Sequence, residues 1–139
     1  MKLKEINFKD YLISNDRSIL SLDKIHQLLS QSYWANKRPR EKIAESINNS
    51  ECFGVYLNGE QVGFARIVTD YAVMYWLCDV VIDEAHRKKG LGKKLIETIV
   101  NDETFSTLTG ILGTMDAYSL YEKFGFTRDS LRFMRRKIT

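Results

Sequence analysis

Arg87-Lys88-Lys89-Gly90-Leu91-Gly92 stands between a nearly unbroken apolar run, Val73 to Ile82, and a stretch in which Leu91, Leu95, Ile96, Ile99 and Val100 recur at helical spacing. The apolar run reads as a central strand covered on both faces. The periodic stretch reads as an amphipathic helix that starts near Gly90. Glycines in the turn between them let the backbone approach a ligand with no Cβ in the way. The helix start adds unpaired N–H groups and the positive end of the helix dipole. Together these make a site for a pyrophosphate, ringed by Arg87, Lys88, Lys89, Lys93 and Lys94. The plainer alternative is a Gly-containing turn with a solvated basic face. A P-loop would need Gly-Lys-Ser/Thr, and a dinucleotide fingerprint would need a third glycine where Leu95 stands. Nucleoside triphosphatases and dehydrogenases are therefore disfavoured.

Working outward, Lys2 to Phe8 alternates as a short first strand would. Ile25, Leu28, Leu29 and Tyr33 share helical spacing, and Pro39 suits the first turn of a second helix carrying Ile43, Ala44 and Ile47. Cys52 to Leu57 and Gln61 to Thr69 flank Asn58-Gly59, the strongest hairpin signal in the chain. Behind the glycine turn, Thr107 to Leu112 reads as a strand and Ala117 to Lys123 as a short helix stopped by Gly125. Thr127 to Ile138 reads as a last strand with alternating basic residues. The expected order is β-α-α-β-β-β-α-β-α-β, an α/β arrangement in three layers.

No repeat, low-complexity tract or linker interrupts the 139 residues, so residues 1–139 read as one domain. A formal net charge of +3 is too small to mark a nucleic-acid binder. Cys52 and Cys78 lack zinc-site spacing and are too few for a disulfide framework, so they read as reduced core thiols, and no metal is expected. No segment approaches the roughly 20 apolar residues of a membrane span, and residues 1–11 lack a signal-peptide block. The expected setting is the cytoplasm, with neither membrane nor nucleic acid as partner.

With these motifs in place, the chain resembles the GCN5-related N-acetyltransferase (GNAT) family. That family's Arg/Gln-x-x-Gly-x-Gly/Ala signature matches Arg87, Gly90 and Gly92, and Asp79-Val80-Val81-Ile82 resembles the strand that feeds it. A second landmark, an aromatic-rich helix near the C-terminus, matches Leu120-Tyr121-Glu122-Lys123-Phe124-Gly125-Phe126. The resemblance implies a three-layer α/β/α fold with a mixed, mostly antiparallel sheet and a splayed strand pair at the cofactor site. It implies acetyl-CoA as cofactor, its pyrophosphate held by backbone amides from Lys89 through Gly90, Leu91 and Gly92 to Lys93, beside Arg87 and Lys88. It also implies that the strand around Val80, Val81 and Ile82 pairs with the pantetheine arm, and that Tyr121 stands beside the sulfur. Thr114 occupies a position where many relatives keep a cofactor-touching asparagine. Trp76 occupies the place of the histone-acetylating branch's glutamate base. A homodimer follows only by family analogy.

Transfer of acetyl to an amine needs a neutral amine, yet a lysine-like amine is unprotonated to only about a thousandth at neutral pH. It also needs hydrogen-bond donors at the developing oxyanion, which a main-chain group of Val80 or Ile82 could supply, and a proton for the departing thiolate. Tyr121 is the candidate acid, or else an aromatic packed on the core. Asp79, the one charge in its strand, is a candidate base or a paired structural carboxylate. His26 and His86 read as solvated. Tyr33, Trp34 and Arg38 in the loop between the first helices either line an acceptor pocket or cap the core. The leading reading is acetylation of a small-molecule primary amine. The alternatives are acetylation of a protein lysine or N-terminus, and a non-catalytic acetyl-CoA-binding sensor.

Overall fold

The computed structural model describes residues 1–138. One mixed sheet runs in chain order through β1 (Glu5–Phe8), β2 (Tyr11–Ser14), β3 (Glu51–Leu57), β4 (Glu60–Thr69), β5 (Met74–Ile82) and β6 (Thr109–Ile111). Neighbours are antiparallel from β1 to β5, and β6 joins β5 in parallel. The helices are α1 (Leu22–Ser30), α2 (Arg40–Asn48), α3 (Leu91–Val100) and α4 (Tyr118–Glu122).

Two apolar clusters hold the layers together. Ile25, Leu28 and Leu29 of α1 with Ile43 and Ile47 of α2 pack on Cys52, Phe64 and Val81. On the other face Leu91, Leu95 and Ile99 of α3 pack on Phe53, Val55, Ala65, Ile67, Tyr75 and Leu77. Each such side chain, when fully buried, contributes about 1.5–3 kcal/mol. Ser21 starts α1, its hydroxyl accepting from Lys24 N at 3.2 Å. Asn58 and Gly59 both take positive φ, 50° and 82°, as a type I′ hairpin requires.

A bulge sets the course of β5. Its register with β4 passes from Arg66↔Cys78 to Phe64↔Val81, so Asp79 and Val80 together oppose Ala65. Asp79 sits there at φ 53°, in the left-handed region that Asp tolerates better than most residues. The extra residue switches which side chains face α3, from Tyr75 and Leu77 before it to Val80 and Ile82 after it. On its other side β5 pairs with β6 only from Met74 to Trp76. Beyond Trp76 no described strand pairs that edge, so the two strands part where β5 approaches the glycine turn.

Three expectations need correction. The N-terminal strand is half of a hairpin: Lys9 at φ 54° turns the chain, and Phe8 opposes Tyr11. Tyr33 lies beyond the end of α1, in the loop leading to α2, and half of it is exposed. Thr127–Ile138 contains no strand. A strand exists only when its backbone groups pair, and the adjoining edge, β6, is three residues long.

Gly90 and Gly92 make separable demands. Gly90 precedes α3 at φ 81°, a conformation that costs a side-chain-bearing residue about 1–2 kcal/mol. Gly92 lies inside the first turn of α3, and a Cβ there would meet only Ile82 Cγ1 at 3.9 Å. Gly90→Ala should therefore destabilise by about 1 kcal/mol, and Gly92→Ala should stabilise by up to about 0.5 kcal/mol. Urea unfolding midpoints moving in the same direction for both would contradict this start for α3.

Candidate active site

The turn from β5 to α3 is assembled by side chains the motif does not include. Asp83 accepts from Ala85 N and opens a single 3-10 turn over Glu84–His86. Arg87 Nε donates to Ile82 O at 3.0 Å, fastening the basic stretch to the end of β5. Lys88 and Gly90 then take φ of 63° and 81°. The first helical bond of α3 is Lys94 N to Gly90 O, at 3.0 Å. None of the amides from Lys88 to Lys93 finds an acceptor among the described residues. Six consecutive unpaired donors at a helix start form a cradle for an anion.

The β1–β2 hairpin, absent from the sequence reading, buttresses this cradle. Lys9 Nζ donates to Lys89 O at 2.7 Å, and the Phe8 ring lies beneath Gly90. Tyr11 Oη and His86 Nδ1 are 2.8 Å apart with their rings edge-on. His86 is thus a half-buried, hydrogen-bonded residue rather than a solvated one, whereas His26 is exposed on α1.

A cleft of about 450 Å³ opens above the cradle, between the free edge of β5 and α4. Of the residues singled out in the sequence, Val80, Val81, Ile82, Arg87, Lys88, Gly90, Leu91, Gly92, Tyr33, Trp34 and Tyr121 line it. Lys89, Lys93, Arg38, Asp79 and Thr114 do not. Thr114 Oγ1 accepts from Ala117 N at 3.1 Å and so shapes the start of α4 instead. Sequence reasoning missed Gln31, Ser32, His86, Asp116, Ala117 and Leu120 as lining residues. Of these, only Leu120 falls within a quoted motif.

Asp79 is buried behind the part of the cleft wall that Trp34 contributes. Oδ1 accepts from Trp34 Nε1 at 3.1 Å, and Oδ2 accepts from Arg38 Nη1 and Arg66 Nε, each at 2.8 Å. Burial alone would push its carboxyl up. The hydrogen bond and charge of Arg66 with the charge of Arg38 outweigh that and hold it below the ordinary carboxylate range. One carboxylate thus ties the α1–α2 loop to β4 and β5. Across the cleft Tyr33 Oη accepts from Met115 N at 3.2 Å, joining that loop to the one before α4.

Tyr121 projects from α4 into the cleft and packs against Phe126, with the rings edge-on at 6.0 Å. Burial, then the charge of Asp116 and the neighbouring Tyr33, push its phenol up to about 12. Tyr121 therefore keeps its proton throughout the neutral range.

A model of the acetyltransferase (GNAT) domain matches residues 48–128, more than half of the chain. A solved structure from Xanthomonas campestris pv. campestris, a candidate acetyltransferase of the GNAT family, superposes with a TM-score of 0.88 at 34% identity, covering 95% of this chain and 96% of that one. A candidate acetyltransferase of Gibberella zeae is 31% identical over 110 residues, which is 65% of this chain and 62% of the fungal protein. A GNAT acetyltransferase of Elizabethkingia anophelis, solved with acetyl-CoA bound, shares the fold at 16% identity and a TM-score of 0.66, covering 86% of this chain and 78% of that one. The chain belongs to the GNAT family of acetyltransferases.

The Asp79 node makes stability depend on pH. Its folded pKa lies below the unfolded value of about 3.9. The stability it contributes is fully present above that value and is lost as pH falls through the folded pKa. Asp79→Asn should cost about 2 kcal/mol at pH 7, because two guanidinium groups lose an ionised partner. The deficit should shrink below about pH 4, as the wild-type carboxylate itself takes up a proton. A gap between wild type and variant that stays constant down to about pH 2.5 in urea titrations would contradict an ionised Asp79 at the node.

Proposed function

We propose that the chain is an acetyl-CoA-dependent N-acetyltransferase acting on a primary amine of a small molecule. The observation that carries this reading is the row of unpaired amides from Lys88 to Lys93 at the foot of a cleft whose far wall holds the Tyr121 phenol. In this reading the amides and Lys88 bind the pyrophosphate. The unpaired edge of β5 at Val80 and Ile82 aligns the pantetheine arm as an added strand would. Bound acetyl-CoA supplies an acetyl thioester at the cleft centre. A main-chain N–H of β5 donates to the carbonyl oxygen as negative charge develops there. As the amine nitrogen replaced sulfur on the acetyl carbon, Tyr121 would give its proton to the departing sulfur and would recover one from the nitrogen as the amide forms. Asp79 acts here as a positioning residue, not as the base. Both its oxygens are occupied and its proton affinity is low, so the amine loses its proton to water at the cleft mouth.

The tie between Tyr33 and Met115 joins two loops across the cleft, which supports a small acceptor over a protein segment. The two unbridged thiols, Cys52 and Cys78, support a reducing, cytoplasmic setting. No helix among the described residues is long and apolar enough to cross a membrane.

Gly92→Asp tests the cofactor. There is room for the new side chain, and an acidic residue in the first turn of a helix favours folding. The variant should fold yet bind acetyl-CoA at least about 100-fold more weakly, since its carboxylate would face phosphate. Unchanged affinity by calorimetry would remove the cradle from the site. Tyr121→Phe tests the chemistry. It keeps the ring packed on Phe126, and loss of the acid should lower kcat and kcat/KM together by about 100-fold. Turnover within about threefold of wild type, with chemistry rate-limiting, would assign the proton to water or the acceptor instead.

A further inference from the structure

The charges lining the cleft are unevenly placed. His86, Arg87 and Lys88 gather at the glycine turn, and Asp116 is the only acidic residue on the wall. The loop that carries Asp116 is fastened on both sides of it. Met115 N donates to Tyr33 Oη at 3.2 Å, and Ala117 N donates to Thr114 Oγ1 at 3.1 Å. The Asp116 carboxylate itself has no hydrogen-bond or ion-pair partner among the described residues. Its side chain is exposed, so it is an unpaired negative charge carried on a held stretch of backbone. Facing the same space are Tyr33 and Trp34, half-exposed and stacked edge-on with ring centroids 5.0 Å apart. Aromatic faces beside a free carboxylate attract an ammonium group.

We propose that Asp116, Tyr33 and Trp34 form the acceptor subsite and that the acceptor is a small aliphatic diamine or polyamine. This rests on the acetyltransferase reading. A single amine does not satisfy the site, because the nitrogen that attacks has to be neutral while Asp116 and the two rings favour a cation. A second ammonium meets both demands: Asp116 holds one end of the acceptor while the other end loses its proton and reacts. A bound cation also offsets the Asp116 charge that helps keep the Tyr121 proton in place, so occupancy of the subsite eases the proton transfer that follows. An acidic or zwitterionic amine would place a carboxylate against Asp116 and is disfavoured.

The test is calorimetric titration of 1,4-diaminobutane and of 4-aminobutanoate into the protein saturated with CoA, which cannot turn over. The diamine should bind at least about tenfold more tightly than the zwitterion, and Asp116→Asn should remove most of that preference while acetyl-CoA affinity stays unchanged. Asp116→Lys should disfavour the diamine further. Equal affinity for the two ligands, or a diamine affinity that Asp116→Asn leaves within about twofold, would overturn the subsite. Wild-type protein that binds no acetyl-CoA would overturn the acetyltransferase reading instead. In that case the diamine titration without CoA still decides whether Asp116 selects a cation.

Discussion

The buried carboxylate of Asp79 is the constraint on which the working end of the molecule rests. It occupies a left-handed backbone position at the bulge of β5, where its two oxygens accept from Trp34, Arg38 and Arg66. A buried carboxylate without partners would be too costly to keep ionised, and two guanidinium groups without a carboxylate would be held together against their repulsion. The bulge shapes the strand, and the ion cluster fastens a loop to the strand. Both properties come from one residue, so the backbone geometry of β5 and the position of the α1–α2 loop are not independent.

The bulge explains how one strand serves two ends of a cleft. Before it, Tyr75 and Leu77 contribute to the cluster under α3. After it, Val80 and Ile82 turn to that side while Val81 joins the cluster under α1 and α2. The main chain is thereby redirected just after its last pair with β6, and the exposed edge runs straight into the glycine turn. The turn is in its own way over-determined. Arg87 holds it to Ile82, Lys9 to the β1–β2 hairpin, and Tyr11 holds His86. These three contacts hold the turn in the form in which six consecutive amides stay without protein acceptors.

Much of this is legible in the sequence. The glycine turn, the Asn58-Gly59 hairpin and the helix stripe of Leu91, Leu95 and Ile99 depend on local chemistry, and local chemistry is written in adjacent residues. What escaped depends on pairing across the chain. Lys9-Asp10 carries no glycine or asparagine to mark a turn, so β2 merged with its surroundings. Thr127 to Ile138 has the alternation of a strand but no edge long enough to receive it. Asp79 was visible as an anomaly in an apolar run. Its task was not, because Trp34, Arg38 and Arg66 lie 45, 41 and 13 residues away in the sequence.

The same distinction separates the two carboxylates near the cleft, of which only Asp79 stands out in the sequence. Asp79 is saturated with donors, held ionised and withdrawn behind the wall, so its chemistry is spent on structure. Asp116 stands on the wall in a loop pinned on either side, with its charge uncommitted. A proton acceptor for an aliphatic ammonium has to be weakly solvated and raised in pKa, and Asp79 is shifted the opposite way. The cleft is therefore polarised: cations and free amides gather at the glycine turn, while an unpaired carboxylate, two aromatic rings and a protonated phenol share the rest of its wall. Electrostatics of that polarity favours a ligand that is anionic toward the glycine turn and cationic toward Asp116.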